Sequence, residues 1–271
     1  MNTFTHIQLE ITNQTAYLRL NRTRVRNALN EEMIGELKQA FQQVDQDQNI
    51  RALVIRGNGP VFSAGADLQW MKQTVSNTYE QNMQESGHLQ ELFDSLYHLP
   101  VPTITIVHGA CIGGANGLAA ASDMVLADKQ TQFRFSEVRI GLVPATIAPF
   151  VVRRMGEYAA KYYMLTGRIF RGEEALRTGL VDAAGSEESL DTELDILLKE
   201  LQQNSPQAMR QTKQLINDIT RHPWKADIKK QTIEAIARAR SSQEGQEGMK
   251  AFLEKRKPLW FSDPEAGKNN N

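Results

Sequence analysis

The chain has 271 residues, of which 41% are hydrophobic, and its 31 basic residues nearly balance 32 acidic ones. This length and composition allow one large domain, or a core domain with a smaller appendage. The near-zero net charge gives no broad basic field for nucleic acid, and no apolar run reaches the roughly 18 residues that cross a bilayer. The single cysteine excludes an internal disulfide, and the first thirty residues lack a signal-peptide pattern. We therefore expect a cytoplasmic protein whose partner is a small molecule.

The elements predicted in chain order alternate between strands and helices. Two short strands, HIQLEI and AYLRL, open the chain as a hairpin, and a loop with three arginines follows. Asn30 is a typical N-cap, and the apolar spacing after it predicts a helix to about Asp45. The remaining elements are a helix over 74–96, a helix over 148–165 and strands at ALVIRG (52–57), PTITIVHG (102–109), MVLAD (124–128) and QFRFSEV (132–138). This alternation predicts an α/β fold, and the charged segment 189–252 predicts a helical C-terminal region.

The stretch HGACIGGANGLAAASD, residues 108–123, places a bare backbone at the start of a predicted helix. A helix N-terminus offers unpaired N–H groups, and glycines let a ligand atom approach them closely. Tight packing of the helix against its neighbours explains the small residues equally well. A dinucleotide site is disfavoured because the G-x-G-x-x-G spacing is absent, and no phosphate-loop lysine follows the glycines.

A second loop of small residues, FSAGADL (62–68), also follows a buried strand and exposes N–H groups near Gly65 and Ala66. Two such loops can converge on one oxygen atom and form an oxyanion hole from the main chain. Ser63 lacks the G-x-S-x-G context of a nucleophile, so we interpret it as part of the loop structure.

Glu137 is the candidate acid or base. In QFRFSEV, the strand period of two places Phe133, Phe135 and Glu137 on one face. A carboxylate that continues an apolar face is either a paired structural charge or a proton-transfer group with a raised pKa. The five histidines show no metal-ligand spacing, so no metal site is expected.

Four motifs in register carry a resemblance over nearly the whole chain. FSAGADL, PTITIVHGACIGGANGLAAASD, FRFSEVRIGLVP and EGMKAFLEKRKP are similar in order and spacing to the crotonase (enoyl-CoA hydratase/isomerase) family. The resemblance implies a spiral of ββα units, a C-terminal helical region that mediates trimerisation, and an acyl-CoA thioester as substrate. It assigns the N–H groups of Ala66 and Gly114 to the thioester oxygen and proton transfer to Glu137. No other cofactor is implied, because coenzyme A is part of the substrate.

One position departs from the family pattern. Family hydratases commonly use two glutamates, and the first falls here on Gly117. Together with SEVRIGLVPATIAPFVV and the tryptophan of GADLQWMK, this glycine resembles methylglutaconyl-CoA hydratases of leucine degradation. We therefore expect hydration of 3-methylglutaconyl-CoA to 3-hydroxy-3-methylglutaryl-CoA; the alternatives are an isohexenylglutaconyl-CoA hydratase and an enoyl-CoA isomerase. Gly117 would then leave room for a branched acyl group, and Arg139 or Lys72 would bind its second carboxylate.

Coenzyme A carries phosphates and needs cations. Arg22, Arg24 and Arg26 lie in the loop where the family binds this moiety, and Asn27–Leu29 match the family's NAL motif. A solvated basic turn is the alternative interpretation. The resemblance also assigns substrate binding to Ala28, Ala64, Asp67, Leu68, Gly117, Phe252 and Lys255, the last two from an adjoining subunit.

The resemblance predicts a core with the acyl-CoA site over residues 1–200 and a helical oligomerisation region over 201–271, assembled as a trimer or a dimer of trimers. Two other classes of function fit the sequence less well. A branch of the family binds RNA through a lysine-rich helix, but the corresponding segment 30–48 has five acidic residues and one lysine. A non-catalytic scaffold is disfavoured because Glu137 and both loops are retained.

Overall fold

The computed structural model describes residues 4–221, 236–239 and 242–261. Its strands are β1 (Ile7–Thr12), β2 (Thr15–Leu20), β3 (Ala52–Gly57), β4 (Thr103–Val107), β5 (Ala110–Ile112), β6 (Met124–Asp128), β7 (Gln132–Arg134), β8 (Phe170–Arg171) and β9 (Ala183–Gly185). Its helices are α1 (Glu31–Gln46), α2 (Leu68–Thr74), α3 (Tyr79–Tyr97), α4 (Ala115–Ala121), α5 (Ala148–Thr166), α6 (Gly172–Arg177), α7 (Glu187–Gln203), α8 (Pro206–Arg221) and α9 (Gln243–Leu253).

Within these residues, the strands form two sheets. The larger has the order β1-β2-β3-β4-β6-β9 and is parallel apart from the β1–β2 hairpin; the smaller has the order β5-β7-β8. Every residue of β4 is buried, as expected for a central parallel strand that is covered on both faces. The site lies at the loops that leave β3, β5 and β7.

The first predicted helix is confirmed. The Asn30 side chain accepts a hydrogen bond from the Met33 N–H at 3.1 Å and so caps α1. Leu37, Phe41 and Val44 follow on the buried face. Local signals define this helix completely, because cap, first-turn acids and apolar stripe all agree.

The predicted helix over 74–96 is wrong in its bounds, because the segment forms two helices. Asp67 starts α2 earlier than expected by accepting hydrogen bonds from the N–H groups of Gln69 and Trp70. Thr78 and Gln81 then form a capping box that starts α3. Strands β5, β8 and β9 were not predicted, because two or three residues are too few to show a period.

The chain divides into two compact units. One comprises the residues up to Leu99 together with Thr103–Thr192, and the other comprises Pro100–Pro102 and the residues from Glu193 onward. The division at Thr192 falls inside α7. In the second unit, Arg256 pairs with Glu247 at 2.6 and 2.9 Å and lowers the pKa of Glu247 to about 2. No helix in the described ranges is long and apolar enough to span a membrane.

Candidate active site

Asn27 holds the small-residue loop in place. Its side-chain amide donates to the carbonyls of Asn58, Val61 and Phe62 at 2.8, 3.0 and 3.1 Å. The Ser63 hydroxyl donates in turn to the Asn27 carbonyl at 2.7 Å. Asn27 is fully buried and has a φ of +54°, so this part of the NAL motif serves the backbone. Ser63 is loop structure, as the sequence predicts.

Ala66 lies in the second loop, and its pairing with Leu29 fixes the direction of its N–H. It forms a parallel bridge with Leu29, in which the Leu29 N–H donates to the Gly65 carbonyl at 2.7 Å and the Asp67 N–H donates to the Leu29 carbonyl at 2.8 Å. In such a bridge, the residue between the two bonded neighbours directs its own N–H to the opposite side. The Ala66 N–H therefore points away from Leu29, and within the described residues it donates to no protein group.

The glycine stretch lies against that opposite side. The Ser63 N–H donates to the Ala110 carbonyl at 3.1 Å, and the Ile112 N–H donates to the Ser63 carbonyl at 3.2 Å. Gly65 has a φ of +93°, and a Cβ there would lie 2.7 Å from the Ile112 carbonyl oxygen. Only glycine permits this close approach of the two loops.

Gly114 provides the second free N–H, at the start of α4. The neighbouring Gly113 N–H donates to the Arg134 carbonyl at 2.8 Å, and the Asn116 side-chain amide donates to the Gly113 carbonyl at 2.9 Å. These bonds fix the turn. In the described part of the chain, the Gly114 N–H has no acceptor, as the first N–H groups of a helix commonly lack one.

The structure brings Ala66, Gly114 and Glu137 together on the wall of one cavity of about 730 Å³. The other lining residues belong to the NAL motif, to α2, to α3 and to the loop before α5: Leu29, Trp70, Met71, Thr74, Val75, Asn82, Glu85, Ser86, Leu89, Ile140, Leu142, Val143, Pro144, Ala145 and Thr146. The two loops and the carboxylate that the sequence singles out therefore share one space.

Glu137 reaches the cavity by a different route from the one predicted. It does not continue the face of β7, because the strand ends at Arg134 and Glu137 begins a 3₁₀ turn that runs to Ile140. Its Oε1 lies 3.4 Å from the position that a Cβ on Gly113 would take. Its Oε2 is buried and has no partner among the described residues. Burial raises the pKa of Glu137, and backbone N–H groups of Glu137 and Ser136 offset part of that rise.

Two predicted substrate contacts are structural. Arg22 donates to a carboxylate oxygen of Asp67 at 2.9 Å and to the Ala28 carbonyl. The other oxygen of Asp67 caps α2 through the N–H of Gln69 at 2.7 Å and that of Trp70 at 3.3 Å. Burial raises the pKa of Asp67, but these hydrogen bonds outweigh it and hold the pKa below its ordinary value. Arg22 and Asp67 thus fix the two loops to each other.

The remaining predicted contacts divide between exposed and buried positions. Arg24 and Arg26 are exposed, and no ion pair holds either of them within the described residues. Ala28 is buried, Ala64 is half-buried and Leu68 is 73% exposed, and none of the three lines the cavity.

The two predicted partners for a second carboxylate do not reach the cavity. Arg139 donates through Nε to the Gly167 carbonyl at 3.1 Å, and Lys72 is exposed on α2. Among the described residues, the lining contains no lysine, arginine or histidine, whereas it contains the carboxylates of Glu85 and Glu137. Arg139 and Lys72, the two candidate cations, therefore lie outside the described lining of this cavity.

The expected space at Gly117 is also absent. A Cβ on Gly117 would lie 2.5 Å from Phe93 Cζ and 2.7 Å from Ile147 Cγ2, and Gly117 does not line the cavity. The glycine accommodates a neighbouring ring instead of leaving room for an acyl group. In the second unit, Lys255 is exposed at a φ of +55°, and the side chain of Phe252 lies outside the described residues.

Sequence reasoning missed the cavity walls. Asn82, Glu85, Ser86 and Leu89 line the cavity from α3 at the i, i+3, i+4, i+7 spacing of one helical face. The spacing is present in the sequence, but three of the four residues are polar, so the face does not show the apolar stripe by which a buried helix face is recognised. Trp70, from α2, was noted only as part of the resemblance.

The raised pKa of Glu137 predicts a pH-dependent stability. The native state holds this proton above the ordinary pKa of 4.5, where the unfolded chain releases it, so the free energy of unfolding falls as pH rises through the folded pKa. We expect Glu137→Gln to have a higher Tm than the wild type at pH 8, with the difference vanishing below about pH 4. Calorimetry from pH 4 to pH 8 measures this difference. Glu157→Gln is the control, because Lys161 lowers the pKa of Glu157. A Tm difference between Glu137→Gln and the wild type that does not change with pH contradicts the raised pKa of Glu137.

Comparisons with known proteins identify the family of this chain. A model of the enoyl-CoA hydratase/isomerase family matches residues 10–263. An enoyl-CoA hydratase structure from Shewanella pealeana is similar at a TM-score of 0.91 and 37% identity, covering 95% of this chain and 96% of that one. Enoyl-CoA hydratase domain-containing protein 3 of Danio rerio is 31% identical over 93% of this chain and 87% of its own length. A trans-2-decenoyl-[acyl-carrier-protein] isomerase of Streptococcus mutans is 28% identical over 94% and 97%.

These matches span nearly all of the chain, and the relatives are covered almost completely. They confirm the predicted crotonase-type α/β fold with its helical C-terminal region. The chain belongs to the enoyl-CoA hydratase/isomerase family.

Proposed function

We propose that this protein hydrates an enoyl-CoA thioester, with the N–H groups of Ala66 and Gly114 binding the thioester oxygen and Glu137 transferring the proton. The observation that supports this proposal is the meeting of two free N–H groups and a buried carboxylate on one cavity wall. Exposed Arg24 and Arg26 would contact the phosphates of coenzyme A. A cytoplasmic homo-oligomer, a trimer or a dimer of trimers, belongs to the same proposal.

The proposed chemistry needs two N–H donors and one carboxyl group that transfers a proton twice. Water adds its oxygen to Cβ of the conjugated double bond, and the negative charge moves to the thioester oxygen, where two preset N–H donors stabilise it. Glu137 takes the proton that the water loses and returns it to Cα, so the elements of one water molecule are added. A carboxyl group whose pKa burial has raised is suited to both steps near neutral pH.

Isomerisation is the second candidate. It requires one group that removes a proton from one carbon and returns it to another, which Glu137 can do without a partner at Gly117. The similarity to a trans-2-decenoyl-[acyl-carrier-protein] isomerase supports this alternative.

The acyl group is the finer part of the proposal. The sequence resemblance favours 3-methylglutaconyl-CoA or isohexenylglutaconyl-CoA, both of which carry a second carboxylate. A desolvated carboxylate is stabilised best by a cation, whereas the described lining supplies the two carboxylates of Glu85 and Glu137, no cationic side chain, and neutral donors such as the Trp70 indole N–H. The geometry therefore supports a neutral acyl group better than either of these two.

The role of Glu137 predicts a large loss of turnover. Glu137→Gln keeps the shape of the side chain but cannot accept a proton, so we expect at least about a 100-fold loss of kcat. Glu85→Gln, in the same cavity, should keep most of the activity. The assay follows loss of the conjugated enoyl thioester in ¹⁸O-labelled water, where label in the product indicates hydration and its absence indicates isomerisation. Near-normal turnover of the Glu137 variant contradicts the proposed role.

The cavity lining predicts that the protein discriminates between acyl groups by their charge. 3-Methylcrotonyl-CoA and 3-methylglutaconyl-CoA form a matched pair that differs in the second carboxylate, and we expect kcat/KM to be at least about tenfold higher for the neutral one. Thr146→Arg places a cation in the lining and should narrow the difference. A wild-type preference for the carboxylated thioester would restore the assignment made from the sequence.

A further inference from the structure

A phenylalanine ring occupies the space beside Gly117. A Cβ at this position would lie 2.5 Å from Phe93 Cζ, 2.6 Å from Phe93 Cε1 and 2.7 Å from Ile147 Cγ2. Real Cβ atoms essentially never show contacts this short. No residue larger than glycine therefore fits at 117 unless the ring and the isoleucine move.

The surrounding packing opposes such movement. Phe93 is completely buried, and its ring meets that of Phe150 edge-on at a centroid distance of 6.0 Å. Phe150 also packs against Tyr97 at 5.7 Å, and Ile147 is only 1% exposed. Close-packed interiors resist added volume, so the cost of a larger side chain at 117 cannot be relieved by a simple rotamer change.

The same two residues are close in the chain to residues of the cavity wall. Leu89, one helical turn before Phe93 on α3, lines the cavity, and so does Thr146, which precedes Ile147. Gly117 in turn is one turn from Gly114 on α4, and its N–H donates to the Gly114 carbonyl at 2.9 Å. Position 117 is thus one turn from the second N–H donor, and a side chain there would meet Phe93 and Ile147.

We propose that Phe93 and Ile147 form a plug that determines which acid–base groups the site can hold. The plug excludes a carboxylate at position 117 and leaves the proton transfers to Glu137. The size of Phe93 thus selects a mechanism that has no acid or base at position 117. This inference rests on the proposed function, but the plug itself is a packing property that can be measured separately.

A stability cycle tests the plug independently of any reaction. We expect Gly117→Ala to lower the Tm by several degrees, and to lower it much less in the Phe93→Ala background, where the ring is absent. Gly35→Ala is the matched control, because Gly35 also lies in a helix but has no atom within 4 Å of a Cβ; it should keep or raise the Tm. The proposal is overturned if Gly117→Ala and Gly35→Ala change the Tm equally. It is also overturned if Gly117→Ala lowers the Tm equally in the wild type and in Phe93→Ala.

A kinetic comparison tests the catalytic consequence. Gly117→Glu alone should unfold at a lower temperature, whereas Phe93→Ala/Gly117→Glu should be more stable than that single variant and present a second carboxylate to the site. The pH dependence of kcat/KM should then gain an additional ionisation relative to Phe93→Ala. An unchanged profile in the folded double variant overturns the claim that the plug limits the acid–base groups. If the wild type is inactive on every enoyl-CoA, the proposed function fails while the stability cycle still decides the packing claim.

Discussion

Two backbone N–H groups, on Ala66 and Gly114, have no acceptor among the described residues, and the site depends on them. Their freedom follows from the pairing around them: the bridge to Leu29 turns one N–H outward, and the start of α4 leaves the other without an acceptor. Donors held by the main chain need no reorganisation when charge develops on a bound oxygen. Glycine at position 65 is required because the two loops approach within carbonyl contact distance.

Residues that the sequence suggested as substrate-binding groups instead fix the positions of the two loops. Arg22 and Asp67 form an ion pair, and Asn27 supplies three hydrogen bonds to the segment between β3 and the second loop. These hydrogen bonds position the backbone of both loops. Arg24 and Arg26, which follow Arg22 in the chain, are exposed.

The parts of the site that were predictable from sequence are those set by local rules. Glycine-rich turns after buried strands identified both loops, and the cap at Asn30 identified α1. The wrong predictions concern contacts between distant residues. The Arg22–Asp67 pair joins positions 45 residues apart, and the ring that fills the space at Gly117 comes from a different helix, α3. The strand period failed at Glu137 because the chain turns into a 3₁₀ helix after Arg134, a change that periodicity alone does not signal.

The central claim is that both N–H groups bind one thioester oxygen, and a structure of the protein with a bound, unreactive acyl-CoA thioester tests it most directly. The account predicts that the thioester oxygen lies about 2.7–3.1 Å from both the Ala66 and the Gly114 nitrogen, with Cα of the acyl group facing Glu137. A thioester oxygen that faces solvent, or that contacts neither nitrogen, would contradict it.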